Sequence, residues 1–131
     1  MLGQLPDITD PNVLVGSSNA DDAGVYKITD DIAVVFTANF FTPIVDEPYW
    51  FGAIAAANSL SDVYAMGGKA MASLNIAMLP SEAMFFPSLK KIMQGGIDKM
   101  KEAGVSIIGG HTIKDKEPKF EIGRASCRER V

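Results

Sequence analysis

The chain has few of the residues that build covalent or metal-clamped scaffolds. Its 131 residues include one Cys, one His and one Trp. A single Cys excludes an internal disulfide and a cysteine-rich zinc site. A single His argues against a histidine-built metal centre or a catalytic triad assembled within one chain. No apolar run approaches the ~20 residues that a bilayer-spanning helix needs, and no cleavable leader is evident. Positive charge is scarce as well. The formal net charge is −4, and the absence of a basic stripe argues against a nucleic-acid surface. Apolar residues are abundant: 47% of the chain is hydrophobic and 21% charged, the balance of one globular domain. The expectation is one domain in a cytoplasmic setting, without nucleic-acid or membrane partners.

Both ends depart from that balance. After Phe120, the string Glu121-Ile122-Gly123-Arg124-Ala125-Ser126-Cys127-Arg128-Glu129-Arg130-Val131 abandons any periodic pattern. It also matches a translated reading frame of a common sequencing adapter. The expected division is a domain over residues 1–121 and a non-native read-through tail over 122–131. That tail holds three Arg and one Glu, so without it the net charge moves from −4 to −6. Met1 is read as an internal methionine, which makes the domain truncated at both ends.

Between the ends, Val13-Leu14-Val15 predicts a short strand set in loop residues. Val25–Ile28 and Ile32–Thr37 are rich in β-branched residues and flank Thr29-Asp30-Asp31, a hairpin signal. Thr42-Pro43 and Glu47-Pro48 carry turn character. Tyr49–Met66 reads as a helix with an apolar stripe at Ala53, Ala56, Leu60 and Val63, ended by Gly67-Gly68. Ala70–Leu79 reads as a mostly buried strand. A second helix begins near Pro87, with Leu89, Ile92, Met93, Gly96, Met100 and Ala103 on its buried face, and closes at Gly104. Val105–Ile108 predicts another short buried strand that empties into a Gly109-Gly110-His111-Thr112 turn. A last strand is expected to begin at 116–120. The order β-β-β-α-β-α-β indicates an α+β fold, a mixed or antiparallel sheet covered by helices.

Three polar stretches carry candidate chemistry. Asp21-Asp22 follows Ser17-Ser18-Asn19-Ala20 in a loop; a solvated turn and a cation ligand are both open readings. Asp62 sits four residues from Asn58, near the C-terminal end of its helix, where the macrodipole disfavours an anion by about 0.3–1 kcal/mol. A bound cation or simple exposure would compensate. Magnesium takes one or two protein carboxylates and completes its shell with water and phosphate oxygens, so Asp22 and Asp62 would suffice. The glycines of Gly109-Gly110-His111-Thr112 allow close backbone approach, and their N–H groups can form an anion nest. Lys69 and Lys114 could reach phosphates. Met and Phe at positions 84–86, 93 and 100 are expected in the core or an interface.

The stretches Asp21-Asp22-Ala23-Gly24-Val25-Tyr26, Phe40-Phe41-Thr42-Pro43-Ile44-Val45-Asp46, Ser61-Asp62-Val63-Tyr64-Ala65-Met66-Gly67-Gly68 and Gly109-Gly110-His111-Thr112-Ile113, in that order, resemble selenophosphate synthetase (selenide, water dikinase). The resemblance runs from about Leu5 to Phe120. It implies the N-terminal fold of aminoimidazole ribonucleotide synthetase, an architecture shared with the hydrogenase-maturation carbamoyl dehydratase. It implies conversion of ATP, selenide and water to selenophosphate, AMP and phosphate, with Mg²⁺, in a homodimer whose N-terminal domains join strands into a shared barrel. By motif, Asp22 and Asp62 match magnesium ligands. Asn19, Ala20 and Asp21 match an ATP-contacting loop. Asn39 and Asp62 match further ATP-binding positions, and Gly110, His111 and Thr112 match a loop that acts on nucleotide held mainly by the partner subunit. The family's Cys or selenocysteine and its Lys belong to a leader upstream of Met1, so no catalytic residue is assigned here and the polypeptide as written is expected to turn over no selenide. One departure stands out: Asn39 occupies the place of an Asp in the family's Thr-x-Asp-Phe-Phe motif. The alternatives are a related ATP-dependent synthetase and a degenerate nucleotide-binding or dimerisation module.

Overall fold

The computed structural model describes residues 9–16, 23–41, 45–79, 86–114 and 119–129. Eight elements follow one another: β1 (Val13–Val15), β2 (Gly24–Lys27), β3 (Ile32–Phe41), α1 (Pro48–Ala65), β4 (Lys69–Leu79), α2 (Phe86–Glu102), β5 (Ser106–Lys114) and β6 (Lys119–Glu129). The strands form one mixed sheet in the order β1-β2-β3-β6-β4-β5. β4 and β5 run parallel, joined through α2, while the other pairings are antiparallel. This is the expected α+β arrangement.

The β2–β3 hairpin is closed by its turn residues. The Thr29 hydroxyl accepts from the N–H groups of Asp31 (3.3 Å) and Ile32 (3.1 Å). β3 then alternates strictly: Ala33, Val35 and Thr37 are buried, while Ile32, Phe36, Ala38 and Phe40 are exposed. The period of two assigns the odd positions to the helix-covered face. On β4, Ala70, Ser73, Asn75 and Ala77 are the buried positions. α1 lies over β3, β6 and β4; α2 packs against α1 and reaches β5.

The helices meet at glycines. A Cβ on Gly52 would stand 1.8 Å from the Ile92 carbonyl oxygen, and one on Gly95 would stand 1.9 Å from the Tyr49 carbonyl oxygen. Only backbone fits there, so α1 and α2 touch main chain to main chain. Phe51, Ala55, Ala56, Leu60, Val63, Ile92 and Met100 fill the core with Val25, Ala33 and Val35. Each helix ends on a left-handed glycine, Gly67 and Gly104, both at φ 72°. The Gly68 N–H reaches back to the Val63 carbonyl and the Val105 N–H to that of Met100, the six-to-one closure of a Schellman end.

Three sequence expectations are corrected. Val105–Ile108 is not a buried strand: Val105 is buried, but every residue of β5 is exposed, because β5 is the sheet's edge. Gly109-Gly110-His111-Thr112 is not a turn but the middle of β5; a nine-residue edge strand tolerates glycine where the neighbouring backbone comes close. Met93 is 38% exposed because the close crossing of α1 and α2 gives its place to Gly95. The 122–129 stretch also pairs, as the larger part of β6, with β3 on one side and β4 on the other. Ladder pairing uses backbone groups, which explains how a stretch without periodic pattern completes it. Thr42-Pro43 and positions 84 and 85 lie outside the described residues.

Candidate functional site

Two residues apart on β3, Thr37 and Asn39 share the helix-facing side. α1 brings Asp62 over them, three residues before its last residue, Ala65. The Thr37 hydroxyl donates to Asp62 Oδ2 at 3.1 Å, and Asn39 Nδ2 donates to the same oxygen. Residues more than twenty apart in the chain thus converge, as the motif order implies for Asn39 and Asp62. The two donors also answer the electrostatic difficulty of a carboxylate at the negative end of a helix. Hydrogen bonds to an ionised acceptor contribute about 1.5–3 kcal/mol each.

The donor set fits a hard cation. It offers a carboxylate, a hydroxyl and an amide whose oxygen and nitrogen exchange places by a half-turn of χ2, all oxygen ligands of the kind magnesium takes. Among the described residues no three His, Cys, Asp or Glu side chains gather into a metal-holding group, and Thr37 and Asn39, which donate to Asp62, are neutral. Asn19, Ala20, Asp21 and Asp22 lie outside the described residues. Thr37 was not singled out in the sequence; its position two before Asn39, on the same strand face, was the available signal.

Gly110, His111 and Thr112 line a different feature. A cleft of about 660 Å³ opens between α2 and β5, bounded by Met93 and Ile97 on the helix, Asn75 and Ala77 on β4, and Ile107 to Thr112 on β5. Gly110 is obligatory there, since a Cβ would lie 2.2 Å from the Asn75 carbonyl oxygen. His111 and Thr112 are exposed, as are Lys69 and Lys114.

The sheet register relates the two places. Asn39 pairs with position 122, position 122 with Asn75, and Asn75 with Gly110. These four positions form one row across the sheet, with Asn39 and Asn75 on the same face. At ~4.8 Å per strand, Asn39 stands about 10 Å from Asn75 and about 14 Å from Gly110. Thr37, position 124 and Ser73 form the adjacent row on that face. Asn75 was another omission from the sequence reading: a polar residue at a buried position of a strand was the sign.

Residues 20–125 match the family model described as AIR synthase related protein, N-terminal domain. The chain belongs to this family. It is 54% identical over 121 residues to selenide, water dikinase of Carboxydothermus hydrogenoformans, covering 92% of this chain and 35% of that protein. It is 55% identical over 113 residues to selenide, water dikinase of Pelobacter propionicus, covering 86% and 32%. The resemblance to selenophosphate synthetase therefore holds along the chain, which spans about a third of the length of these curated relatives. Among solved structures, AaThiL complexed with AMPPCP and TMP superposes with a TM-score of 0.76 at 19% identity, over 84% of this chain and 37% of that one. That likeness concerns the fold.

Proposed function

We propose that this chain is the ATP-binding N-terminal domain, spanning residues 1–121, of an enzyme that makes selenophosphate, AMP and phosphate from ATP, selenide and water. The carrying observation is the meeting of Thr37, Asn39 and Asp62, which joins two of the recognised motifs at one part-buried carboxylate. The name carried by relatives more than 50% identical supports selenide as the phosphoryl acceptor.

In this reading Asp62, together with Asp22, holds Mg²⁺, while Asn39 lies beside Asp62. Asn19, Ala20 and Asp21 contact ATP, and Gly110, His111 and Thr112 form a second nucleotide contact. A cation held there would neutralise charge on phosphate oxygens and so favour phosphoryl transfer. The chain's own part is to orient: Thr37 and Asn39 fix the Asp62 carboxylate, and the glycines of β5 bring backbone close.

The same reading includes a homodimer in the cytoplasm. The sheet face away from the helices presents Phe36 and Phe40, each 49% exposed, along with Met71, Leu74 and Ile113. Exposed apolar side chains gathered on one sheet face fit an association surface, and a shared barrel would bury them. Among the described residues no helix is long and apolar enough to cross a membrane.

Calorimetric titration of the chain with Mg-ATP provides the test. Saturable binding is expected, and Asp62→Asn should weaken it about 100-fold, which corresponds to about 2.7 kcal/mol. Equal affinity of the variant, or no binding by the unaltered chain, would refute the assignment.

A further inference from the structure

Two buried groups on β4 have no role in the nucleotide contacts above. Ser73 is 1% exposed and Asn75 7%, and neither Ser73 Oγ nor Asn75 Oδ1 has a hydrogen-bond partner among the described residues. Folded proteins seldom leave a buried acceptor unmet, because its lost hydration is not returned. Neither strand beside β4 places a side-chain donor opposite Asn75: on β5 that residue is Gly110, where no Cβ fits, and on β6 it is Ile122, whose side chain has no donor. Asn75 also lines the α2–β5 cleft, whose other walls include Ala77, Met93, Ile97 and Ile107. That is a slot walled mainly by apolar side chains, with His111 and Thr112 on its β5 side and buried Asn75 on β4, the general make-up of a small-molecule site.

We propose that Asn75 is the base-reading residue of the nucleotide site. The cleft seats the flat, mostly apolar base; its exocyclic amine donates to Asn75 Oδ1 while the adjacent ring nitrogen accepts from Asn75 Nδ2, a two-point contact that a base with a carbonyl there, offering two acceptors, cannot match. The terminal torsion of an Asn side chain is soft, so its amide edge can be aimed into the cleft without backbone movement. The shared row then runs from base to phosphates: Asn39, beside Asp62, stands two strand spacings away, about 10 Å. The inference rests on the ATP reading and adds to it a reason for adenine over bases with a carbonyl at the same position.

The test compares ATP with inosine triphosphate, which carries a carbonyl in place of the amine, on the unaltered chain and on Asn75→Leu. The unaltered chain is expected to favour ATP by about tenfold or more, since a site built to accept a hydrogen bond rejects the ligand that lacks the donor. Asn75→Leu should lower ATP affinity to the inosine level and leave inosine triphosphate binding unchanged. Its thermal midpoint should stay level or rise, because an apolar side chain of similar size removes an unmet acceptor. Equal affinity of the unaltered chain for both nucleotides overturns the inference even if the variant fails to fold. An Asn75→Leu protein with undiminished ATP preference overturns it while leaving the ATP site intact. Absence of any nucleotide binding by the unaltered chain removes both.

Discussion

Asn39 and Asn75 occupy one row on one face of the same sheet, yet their surroundings differ. Asn39 donates to Asp62 beneath α1; Asn75 keeps an unmet oxygen beside an open cleft. The difference follows the cover. Above β3, α1 supplies a carboxylate in hydrogen-bond reach. Above β4 and β5, α2 supplies Met93 and Ile97, with no polar atom for Asn75 among the described residues. On one half of the sheet the inward-facing amide of Asn39 is paired within the protein; on the other, Asn75 Oδ1 has no partner among the described residues.

The strongest way to break this contrast is to lift the helices. Gly95→Ala places a methyl 1.9 Å from the Tyr49 carbonyl oxygen, against backbone that cannot step aside without moving α1. Overpacking of this sort costs about 3 kcal/mol. The variant should unfold at markedly lower urea, and the Asp62 cluster should loosen with α1. An unchanged urea midpoint would show that the two helices are not held at this crossing.

A subtler change alters the satisfied half alone. Asn39→Asp removes the amide donor to Asp62 and sets a second carboxylate against it. Loss of a charge-assisted hydrogen bond and gain of like-charge repulsion should lower metal-free stability by about 2 kcal/mol. Added Mg²⁺ should restore it, because two facing carboxylates then share a divalent charge, and Mg-ATP should bind about tenfold more tightly. Melting curves with EDTA and with Mg²⁺ read the first effect and calorimetry the second. In the unaltered chain the Asn39 amide occupies Asp62 without metal, so its melting point should respond little to Mg²⁺. Identical metal-free melting of the two proteins would contradict the role given to this hydrogen bond.

The contrast also marks what was legible in the sequence. Helix ends were plain, because Gly67 and Gly104 are the residues that adopt positive φ without strain. The β2–β3 hairpin was plain for a similar reason: Thr29-Asp30-Asp31 has turn chemistry between two β-branched runs. Asn39 and Asp62 were recognisable by motif, and folding brought them together. Asn75 and the true setting of Gly110 were hidden, because their meaning comes from β4–β5 register and not from local pattern. A largely apolar run such as Val105-Ser106-Ile107-Ile108 reads as buried whether its strand ends up central or at an edge. Edge placement depends on where β6 inserts, a long-range pairing that no nearby residue announces. Met93 was misread because helical periodicity places a stripe without saying which of its members a close crossing displaces.

The smallest expected effect concerns the tie between the helix start over the satisfied half and the helix over the open half. The Tyr49 hydroxyl donates to Asp98 Oδ2 at 2.7 Å, and Gln94 Nε2 donates to Asp98 Oδ1 at 2.7 Å. The Tyr49 bond, followed by that of Gln94, holds the Asp98 carboxyl below its ordinary 3.8. The same bond to Asp98 raises the Tyr49 hydroxyl above 10.0. For Asp98 the folded state binds its proton less readily than the unfolded chain, so the contribution is present above pH 3.8 and fades as pH falls through the lowered value. For Tyr49 the contribution is present below pH 10.0 and fades as pH rises through the raised value. Both groups lie near the surface, where solvent screens such interactions. Tyr49→Phe should therefore flatten the acid and alkaline edges of the stability–pH curve and change little between them. A variant whose curve keeps both edges as steep as before would show that this pair does not couple the helices.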